Sequence, residues 1–217
     1  MSMSFMTTVK TKYILRLAER LKDIDPVLAQ DLHLLVAGAT NPPHPRPQIT
    51  LGSITTAMEK VTETLKSANI PFALAGGLAV KHWVDIRESF DIDFVLHTVD
   101  IKKVMTLFPH GADRPLQYSV KVDNVVIDFI KGDLFPWSDD ALFYAQETTD
   151  FGIKLKIIKP EYLVLFKLRA GRDRDIQDIK GLLSLPITEK VRKLVNEYDS
   201  DNLEDIEQMI REVEYGV

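Results

Sequence analysis

A chain of 217 residues is long enough for one domain, or for a compact domain with a helical appendage. Hydrophobic residues make up 45% of it and charged residues 27%, and it contains no cysteine, which excludes disulfides, zinc–thiolate sites and cysteine nucleophiles. The formal net charge of −5 disfavours a protein that wraps nucleic acid on a broad basic surface, but it is compatible with a local basic patch.

The sequence shows no pattern typical of membrane insertion or export. No apolar run approaches the ~18 residues that a membrane-spanning helix needs. The first residues, MSMSFMTTVKTK, lack the apolar core and the small-residue cleavage site of a signal peptide. Together with the missing cysteine, these features predict a cytoplasmic protein that does not associate with a membrane.

The N-terminal part is predicted to be helical. Apolar residues recur at helical spacing between Tyr13 and Leu21. Asp25-Pro26 then has the pattern of an N-cap followed by proline at the first helical position, which predicts a second helix over residues 27–37. The prolines that follow Asn41 exclude regular helix and central strand. We therefore predict an N-terminal helical element over residues 1–41 and a Pro-rich linker over residues 42–50.

Helices and strands are mixed over residues 51–158, which we predict to be the core. Helical spacing or capping predicts helices over residues 54–68, 78–85, 99–107 and 138–146. Apolar runs or alternation predict strands over residues 72–75, 91–97, 116–122, 125–130 and 153–158. Asp123-Asn124 is a hairpin turn signal between the third and fourth of these strands.

The pattern from residue 159 to residue 217 is entirely helical. Four helices are predicted there, over residues 161–170, 174–183, 188–198 and 202–213. The order of elements therefore predicts an α/β (α+β) fold. In this fold a mixed sheet is flanked by N-terminal helices and by a C-terminal helical bundle.

A glycine pair and a carboxylate pair stand close together in the core. Gly76 and Gly77 follow the apolar strand over residues 72–75, and glycine allows a backbone to approach a ligand closely. Asp91 and Asp93 lie two apart on the next strand, so their side chains point to the same face. Adjacent carboxylates repel each other unless a cation lies between them. A glycine-rich turn at a helix start followed by such a pair predicts a site for a metal-bound polyphosphate.

Asp128 is a third candidate acid. It lies inside the apolar strand sequence Val125-Val126-Ile127-Asp128-Phe129. An aspartate in such a strand is costly to bury without a partner, and a metal or another cation would supply one.

These features resemble the active-site signature of the nucleotidyltransferase superfamily, which includes DNA polymerase β. That signature is a Gly-Gly or Gly-Ser turn, a helix, an Asp-x-Asp strand and a third acid on a later strand. The form Arg87-x-Ser89-x-Asp91-Ile92-Asp93 is most similar to the AbiEii-type abortive-infection toxins, and the lincosamide nucleotidyltransferases are similar too. The resemblance covers roughly residues 53–185 and implies a polymerase-β-like core.

The resemblance also implies an activity and a set of ligands. It implies transfer of a nucleotidyl group from a nucleoside triphosphate, with two Mg²⁺ ions, or Mn²⁺, held by Asp91, Asp93 and Asp128. In the family, the third acid either activates the attacking hydroxyl or holds the catalytic metal. Gly76 and Gly77 would cradle phosphate.

A second motif lies in the helical region. Lys167, Leu168, Ala170, Arg174, Asp175 and Asp178 match the AbiEii-type pattern Lys-Leu-x-Ala-x-x-x-Arg-Asp-x-x-Asp. The resemblance implies that Lys167 contacts the triphosphate, and Arg172 and Arg174 are further candidates because a guanidinium can bind two oxygens. Arg87 and Ser89 complete the predicted nucleotide-binding set.

Structural alternatives exist for each of these motifs. The glycine pair could be an ordinary turn, Asp91 could cap a turn, and Asp128 could pair with an arginine. Arg87 could pair only with Glu88. The second motif could be a solvated pair of helices joined by salt bridges.

The favoured interpretation is a cytoplasmic metal-dependent nucleotidyltransferase that acts as the toxin of an AbiEii-type toxin–antitoxin system. Its acceptor would be the 3′ end of a tRNA, a protein side chain or a small molecule, and a cognate antitoxin is a possible partner. Two alternatives stay open: an antibiotic nucleotidyltransferase, and a non-catalytic nucleotide-binding or antitoxin-like partner. The complete set of three acids argues against the non-catalytic alternative.

Overall fold

The structure is a computed structural model that describes residues 51–216. The N-terminal helical element predicted over residues 1–41 and the linker predicted over residues 42–50 lie outside the described residues. The described helices are α1 Leu51–Ser67, α2 Gly76–Trp83, α3 Ile101–Leu107, α4 Ser138–Phe143, α5 Pro160–Ala170, α6 Asp173–Leu183, α7 Thr188–Tyr198 and α8 Leu203–Tyr215. The strands are β1 Phe72–Ala75, β2 Ile92–Leu96, β3 Ala112–Asp113, β4 Gln117–Val122, β5 Val125–Lys131, β6 Gln146–Thr148 and β7 Leu155–Ile157.

The seven strands form one mixed sheet in the order β3-β4-β5-β2-β1-β7-β6. β2 lies at its centre, antiparallel to β1 and parallel to β5. The α/β fold with a mixed sheet that the sequence predicts is therefore confirmed. Among the described residues no helix has both the length and the apolar character needed to cross a membrane.

The core forms because apolar residues recur along each helix and strand with the period of that element, so that they lie on its inner face. On α1, Met58, Val61 and Leu65 recur at helical spacing and are fully buried. In the sheet, Phe94 on β2 stacks against Phe129 on β5, with ring centroids 6.4 Å apart. These contacts fix β2 beside β5, the two strands on which the predicted acids lie.

Two short strands were missed or misassigned from the sequence. The helix predicted over residues 138–146 ends at Phe143, and Gln146–Thr148 instead forms β6, which pairs antiparallel with β7. β3 has only two residues and was not predicted. Elements this short have too few residues for a period to appear.

The helical character predicted after residue 159 is also observed. All strands of the described part end by Ile157, and α5 to α8 follow. α5 contacts α2, α6 and α7, so the helical region packs directly beside the glycine turn that starts α2. The boundary between a core over 51–158 and a helical region over 159–217 stays a prediction.

Candidate active site

One pocket of about 310 Å³ contains every residue that the sequence singled out for chemistry. The ten predicted site residues among those that line it are Gly76, Gly77, Arg87, Ser89, Asp91, Asp93, Asp128, Lys167, Arg172 and Arg174. They come from the start of α2, the loop before β2, strands β2 and β5, and the α5–α6 region. Their functional roles stay predictions, but their proximity is a property of the fold.

The three acids meet because β2 and β5 are neighbouring parallel strands. Asp93 lies directly opposite Asp128 in the register of these strands. Asp91 lies immediately before β2, two residues from Asp93, and lines the same pocket. Three carboxylates therefore converge on one side of the pocket.

Burial and mutual repulsion disfavour the ionised form of these acids. Burial, followed by the negative charge of Asp128, raises the pKa of Asp93 to about 6, although Lys167 partly opposes this effect. The pKa of Asp128 is also raised, first by burial and to a smaller extent by Asp91, while a hydrogen bond with Ser119 opposes the rise. The site therefore holds negative charge at a cost in stability, as expected of acids placed to bind a cation.

Asp128 supplies a direct test of whether a metal fits. Its Oδ1 atom is buried and accepts no hydrogen bond from the described residues. A buried carboxylate oxygen without a partner is costly, and a metal ion would supply the missing interaction. Three carboxylates form an all-oxygen ligand set, which suits Mg²⁺ or Mn²⁺. Asp91, Asp93 and Asp128 would hold the metal.

Gly76 is required at its position for two reasons. Its backbone is left-handed, with φ of +62°, and a Cβ there would lie 1.7 Å from Asp93 Oδ2. At Gly77 a Cβ would lie 2.3 Å from Ser89 Oγ, so the close contact between this turn and the loop before β2 depends on the missing side chain of Gly77.

The start of α2 can receive an anion. The helix begins at Gly76, and its N-cap residue Ala75 makes no side-chain cap hydrogen bond. The first backbone N–H groups of a helix have no intrahelical acceptor and carry the positive end of the helix dipole. Located beside the acids, they suit the phosphate groups of a metal-bound nucleotide.

Two cations on the other side of the pocket, Lys167 and Arg172, are paired with buried acids. Lys167 is only 4% exposed, and its Nζ lies 3.0 Å from Asp175 Oδ1 and 2.7 Å from Asp178 Oδ2. Arg172 Nε lies 2.6 Å from Asp175 Oδ2. Asp175 and Asp178 are fully buried. The solvated alternative for the second motif is therefore wrong, because its central ion pairs are inside the protein.

Arg87 also has a different partner from the one that the sequence suggested. Its Nε and one terminal nitrogen each lie 2.7 Å from the carboxylate of Asp178. Glu88, the neighbour considered as its partner, instead binds Lys81. Arg174 lines the pocket, and within residues 51–216 no carboxylate lies at salt-bridge distance from it.

Sequence reasoning missed an apolar wall of the pocket. Phe135 and Phe166 line it with ring centroids 5.2 Å apart, and the apolar residues Leu116 and Ile130 also line the pocket. Trp137 packs against both phenylalanines and is buried. The only sequence signal for this apolar wall was the position of Phe166 beside Lys167.

A second group of potential metal ligands lies at the other end of β2. Ligand atoms of His97, Asp133 and Asp139 lie within 4.8 Å of one another. Asp133 and Asp139 are exposed, so water can hydrate both carboxylates. This group gives no independent argument for a metal.

Comparison with known proteins identifies the fold. No protein-family model matches the sequence, and the search of curated proteins gives no match either. The solution structure of the antibiotic-resistance factor ANT(2″)-Ia is 14% identical, covers 73% of this chain and 98% of its own, and gives a TM-score of 0.54. The crystal structure of ANT(2″)-Ia with adenylyl-2″-tobramycin is 15% identical, with coverages of 69% and 98% and a TM-score of 0.51.

A nucleotidyltransferase-like protein from Paracoccidioides brasiliensis is 20% identical, with coverages of 73% and 94% and a TM-score of 0.46. At these identities a structural match speaks for the fold, and the resemblance to AbiEii-type toxins stays a prediction. The protein described here has the nucleotidyltransferase fold.

Proposed function

We propose that the protein is a metal-dependent nucleotidyltransferase that transfers a nucleotidyl group from a nucleoside triphosphate to an acceptor hydroxyl. The observation that carries the proposal is the meeting of Asp91, Asp93 and Asp128 beside the Gly76-Gly77 turn in one pocket. The same pocket is lined on its other side by cations. This is the charge distribution that a triphosphate with bound metal requires.

The chemistry divides between the two sides of the pocket. The acceptor oxygen would attack the α-phosphorus, the bond from the α-phosphorus to the bridging oxygen would break, and pyrophosphate would leave. Asp128 Oδ1 would either take the proton of the attacking hydroxyl or hold the metal, and in the second case the proton would pass to solvent water. The first N–H groups of α2, together with Arg87 and Arg174, would bind phosphate oxygens. Bound Mg²⁺ or Mn²⁺ would stabilise the entering and leaving oxygens.

Lys167 would act mainly through its charge. Its Nζ already contacts two buried carboxylates, so a direct bond to the triphosphate requires its remaining N–H. The ammonium also lowers the pKa of Asp93, which places it close enough to influence the metal side of the pocket.

The biological role that we propose is that of a cytoplasmic toxin of an AbiEii-type system, held by a cognate antitoxin. It rests on the resemblance of both sequence motifs. The acceptor would be the 3′ end of a tRNA or a protein side chain. Five cations line the pocket, and the acids that line it are the three proposed metal ligands. This charge balance suits a polyanionic acceptor once metal has neutralised the acids.

An antibiotic nucleotidyltransferase is the second candidate, and the similarity to ANT(2″)-Ia favours it. The charge of the pocket disfavours a polycationic acceptor, because no acid remains to bind the amino groups after the three metal ligands are assigned. This argument does not apply to a small uncharged antibiotic.

One experiment tests the proposal and distinguishes the acceptors. Each α-labelled nucleoside triphosphate is incubated with the protein, Mg²⁺ and, in separate reactions, total RNA, total protein or a set of antibiotics. Label should appear in one class of acceptor and be lost with a chelator and with Asp93→Asn. If no acceptor is labelled and no triphosphate binds, the proposed function is wrong. The better interpretation is then a non-catalytic, antitoxin-like partner that does not bind nucleotide.

A further inference from the structure

Asp178 joins the helical region to the loop that precedes the acids. It lies on α6 and is 0% exposed, while Arg87 lies in the loop between α2 and β2. Both of its oxygens accept hydrogen bonds from Arg87, from Nε and from one terminal nitrogen, each at 2.7 Å. Two parallel bonds of this kind fix both the distance and the plane of a guanidinium.

The carboxylate of Asp178 is held by a second cation. Lys167 Nζ lies 2.7 Å from Asp178 Oδ2 and 3.0 Å from Asp175 Oδ1. Burial acts to raise the pKa of Asp178, but hydrogen bonds from Arg87 and Lys167 outweigh it and keep the pKa below its ordinary value. Asp178 is therefore a fixed negative charge to which Arg87 can be anchored.

The terminal nitrogen of Arg87 that donates to Asp178 also lies beside the glycine turn. A Cβ on Gly77 would lie 3.2 Å from this nitrogen and 2.3 Å from Ser89 Oγ. The second terminal nitrogen donates to the carbonyl oxygen of Glu88 at 3.2 Å. A guanidinium has five N–H groups, so two donors remain after these three bonds to described residues, and Arg87 lines the pocket.

We propose, resting on the function proposed above, that Asp178 is a positioning residue for the triphosphate. It orients Arg87 edge-on against the Gly76-Gly77 turn, so that the remaining N–H groups of Arg87 point to phosphate oxygens. Asp178 itself is buried behind Arg87 and is not among the residues that line the pocket. Its effect on the nucleotide therefore passes through Arg87.

The test measures binding of inorganic tripolyphosphate with Mg²⁺, because this probe contains only the groups that Arg87 would bind. Asp178→Asn keeps the shape but removes the charge and one acceptor of the two bonds from Arg87. It should weaken tripolyphosphate binding by about tenfold or more, which is the effect of losing one hydrogen bond to a charged group. Adenosine binding should change less than about twofold, since adenosine has no phosphate for Arg87 to bind.

Asp175→Asn is the matched control. It removes an equally buried partner of Lys167 and Arg172 but leaves the bonds between Arg87 and Asp178 intact. It should lower thermal stability as Asp178→Asn does, while tripolyphosphate binding weakens at least about threefold less than with Asp178→Asn. If both variants weaken binding equally, the effect is one of general stability and the positioning role is refuted.

A double-mutant cycle tests whether the effect passes through Arg87. Once Arg87→Ala has removed the guanidinium, adding Asp178→Asn should weaken tripolyphosphate binding no further. Additive losses would overturn the proposal. Should Asp178→Asn not fold, Asp178→Glu keeps the charge and the pair with Lys167 but displaces the bonds to Arg87, and the same loss of binding is expected with stability largely retained. Unchanged binding in Asp178→Glu would then refute the inference.

The outcomes also separate this inference from the function on which it rests. Wild type that binds neither tripolyphosphate nor any nucleoside triphosphate with Mg²⁺ overturns the proposed function, and the positioning role with it. Wild type that binds them while Asp178→Asn binds equally well overturns only the positioning role.

Discussion

Replacing Asp93 by asparagine removes one of three converging negative charges while it keeps the shape of the side chain. The pKa of Asp93 in the folded protein is about 6, against an ordinary value of 3.8, first because of burial and then because of Asp128. Each pKa unit corresponds to 1.36 kcal/mol, so ionised Asp93 costs the folded protein at most about 3 kcal/mol. Asp93→Asn should recover about 1–3 kcal/mol in metal-free buffer.

The sign of this effect depends on pH. Because the pKa is raised on folding, the folded protein binds the proton more tightly, and ionised Asp93 destabilises it only at higher pH. The gain from Asp93→Asn should be complete above about pH 6, fall between pH 6 and pH 4, and disappear below the ordinary pKa of 3.8. A gain of 1–3 kcal/mol corresponds to a rise in Tm of roughly 2–12 °C for a chain of this size.

Thermal unfolding at pH 8 and pH 4, with and without Mg²⁺, measures these effects. Mg²⁺ should raise the Tm of the wild type, since it binds only the folded acids, and should leave Asp93→Asn almost unchanged. Asp85→Asn is the control, because this carboxylate is exposed and its loss should have little effect at either pH. A variant at Asp93 that is less stable than wild type at pH 8, or whose difference does not change with pH, would refute the reasoning.

Three further predictions concern the rest of the pocket. Asp128→Asn should reduce nucleotidyl transfer by about 10²–10⁴-fold, measured with labelled triphosphate, while the affinity for the triphosphate changes far less. Gly76→Ala should cost more than about 2 kcal/mol of unfolding free energy and abolish Mg²⁺ binding, because its Cβ would overlap Asp93 Oδ2, a proposed metal ligand. Gly152→Ala, also at positive φ but in open space, should cost only about 1 kcal/mol and leave Mg²⁺ binding intact. Lys167→Met should lower the free energy of unfolding, measured with denaturant, by about 3–5 kcal/mol, because two buried carboxylates lose their cation. The control Lys154→Met, on the surface, should lower it by less than about 1 kcal/mol.

Local sequence patterns were sufficient to predict an element where its residues alone show a clear period or an uninterrupted apolar run. The uninterrupted apolar run predicted β1 with its observed bounds, Phe72–Ala75. Helical spacing did the same for α7, Thr188–Tyr198. The proximity of Asp91 and Asp93 followed from strand alternation alone, because no long-range contact is needed for it.

Contacts between distant segments could not be predicted in this way. Arg87 and Asp178 are 91 residues apart, and each has a nearer residue of opposite charge that looks equally suitable in the sequence. The burial of Lys167 was also hidden, since a lysine on an amphipathic helix usually extends to solvent. Only the packing of α5 and α6 against α2 decides both cases.

The arrangement of charges explains why the helical region belongs to the pocket. The acids lie on the sheet, where β2 and β5 force them together and raise the pKa of Asp93 and Asp128. Lys167 and Arg172, from the helical region, act in the opposite direction on Asp93. These cations could not remain buried or oriented alone, so two further acids, Asp175 and Asp178, neutralise them outside the pocket lining. Removing α5 and α6 would therefore leave the acids without their opposing charge and Arg87 without its anchor. The proposed binding of a triphosphate would for this reason require both the sheet and these helices.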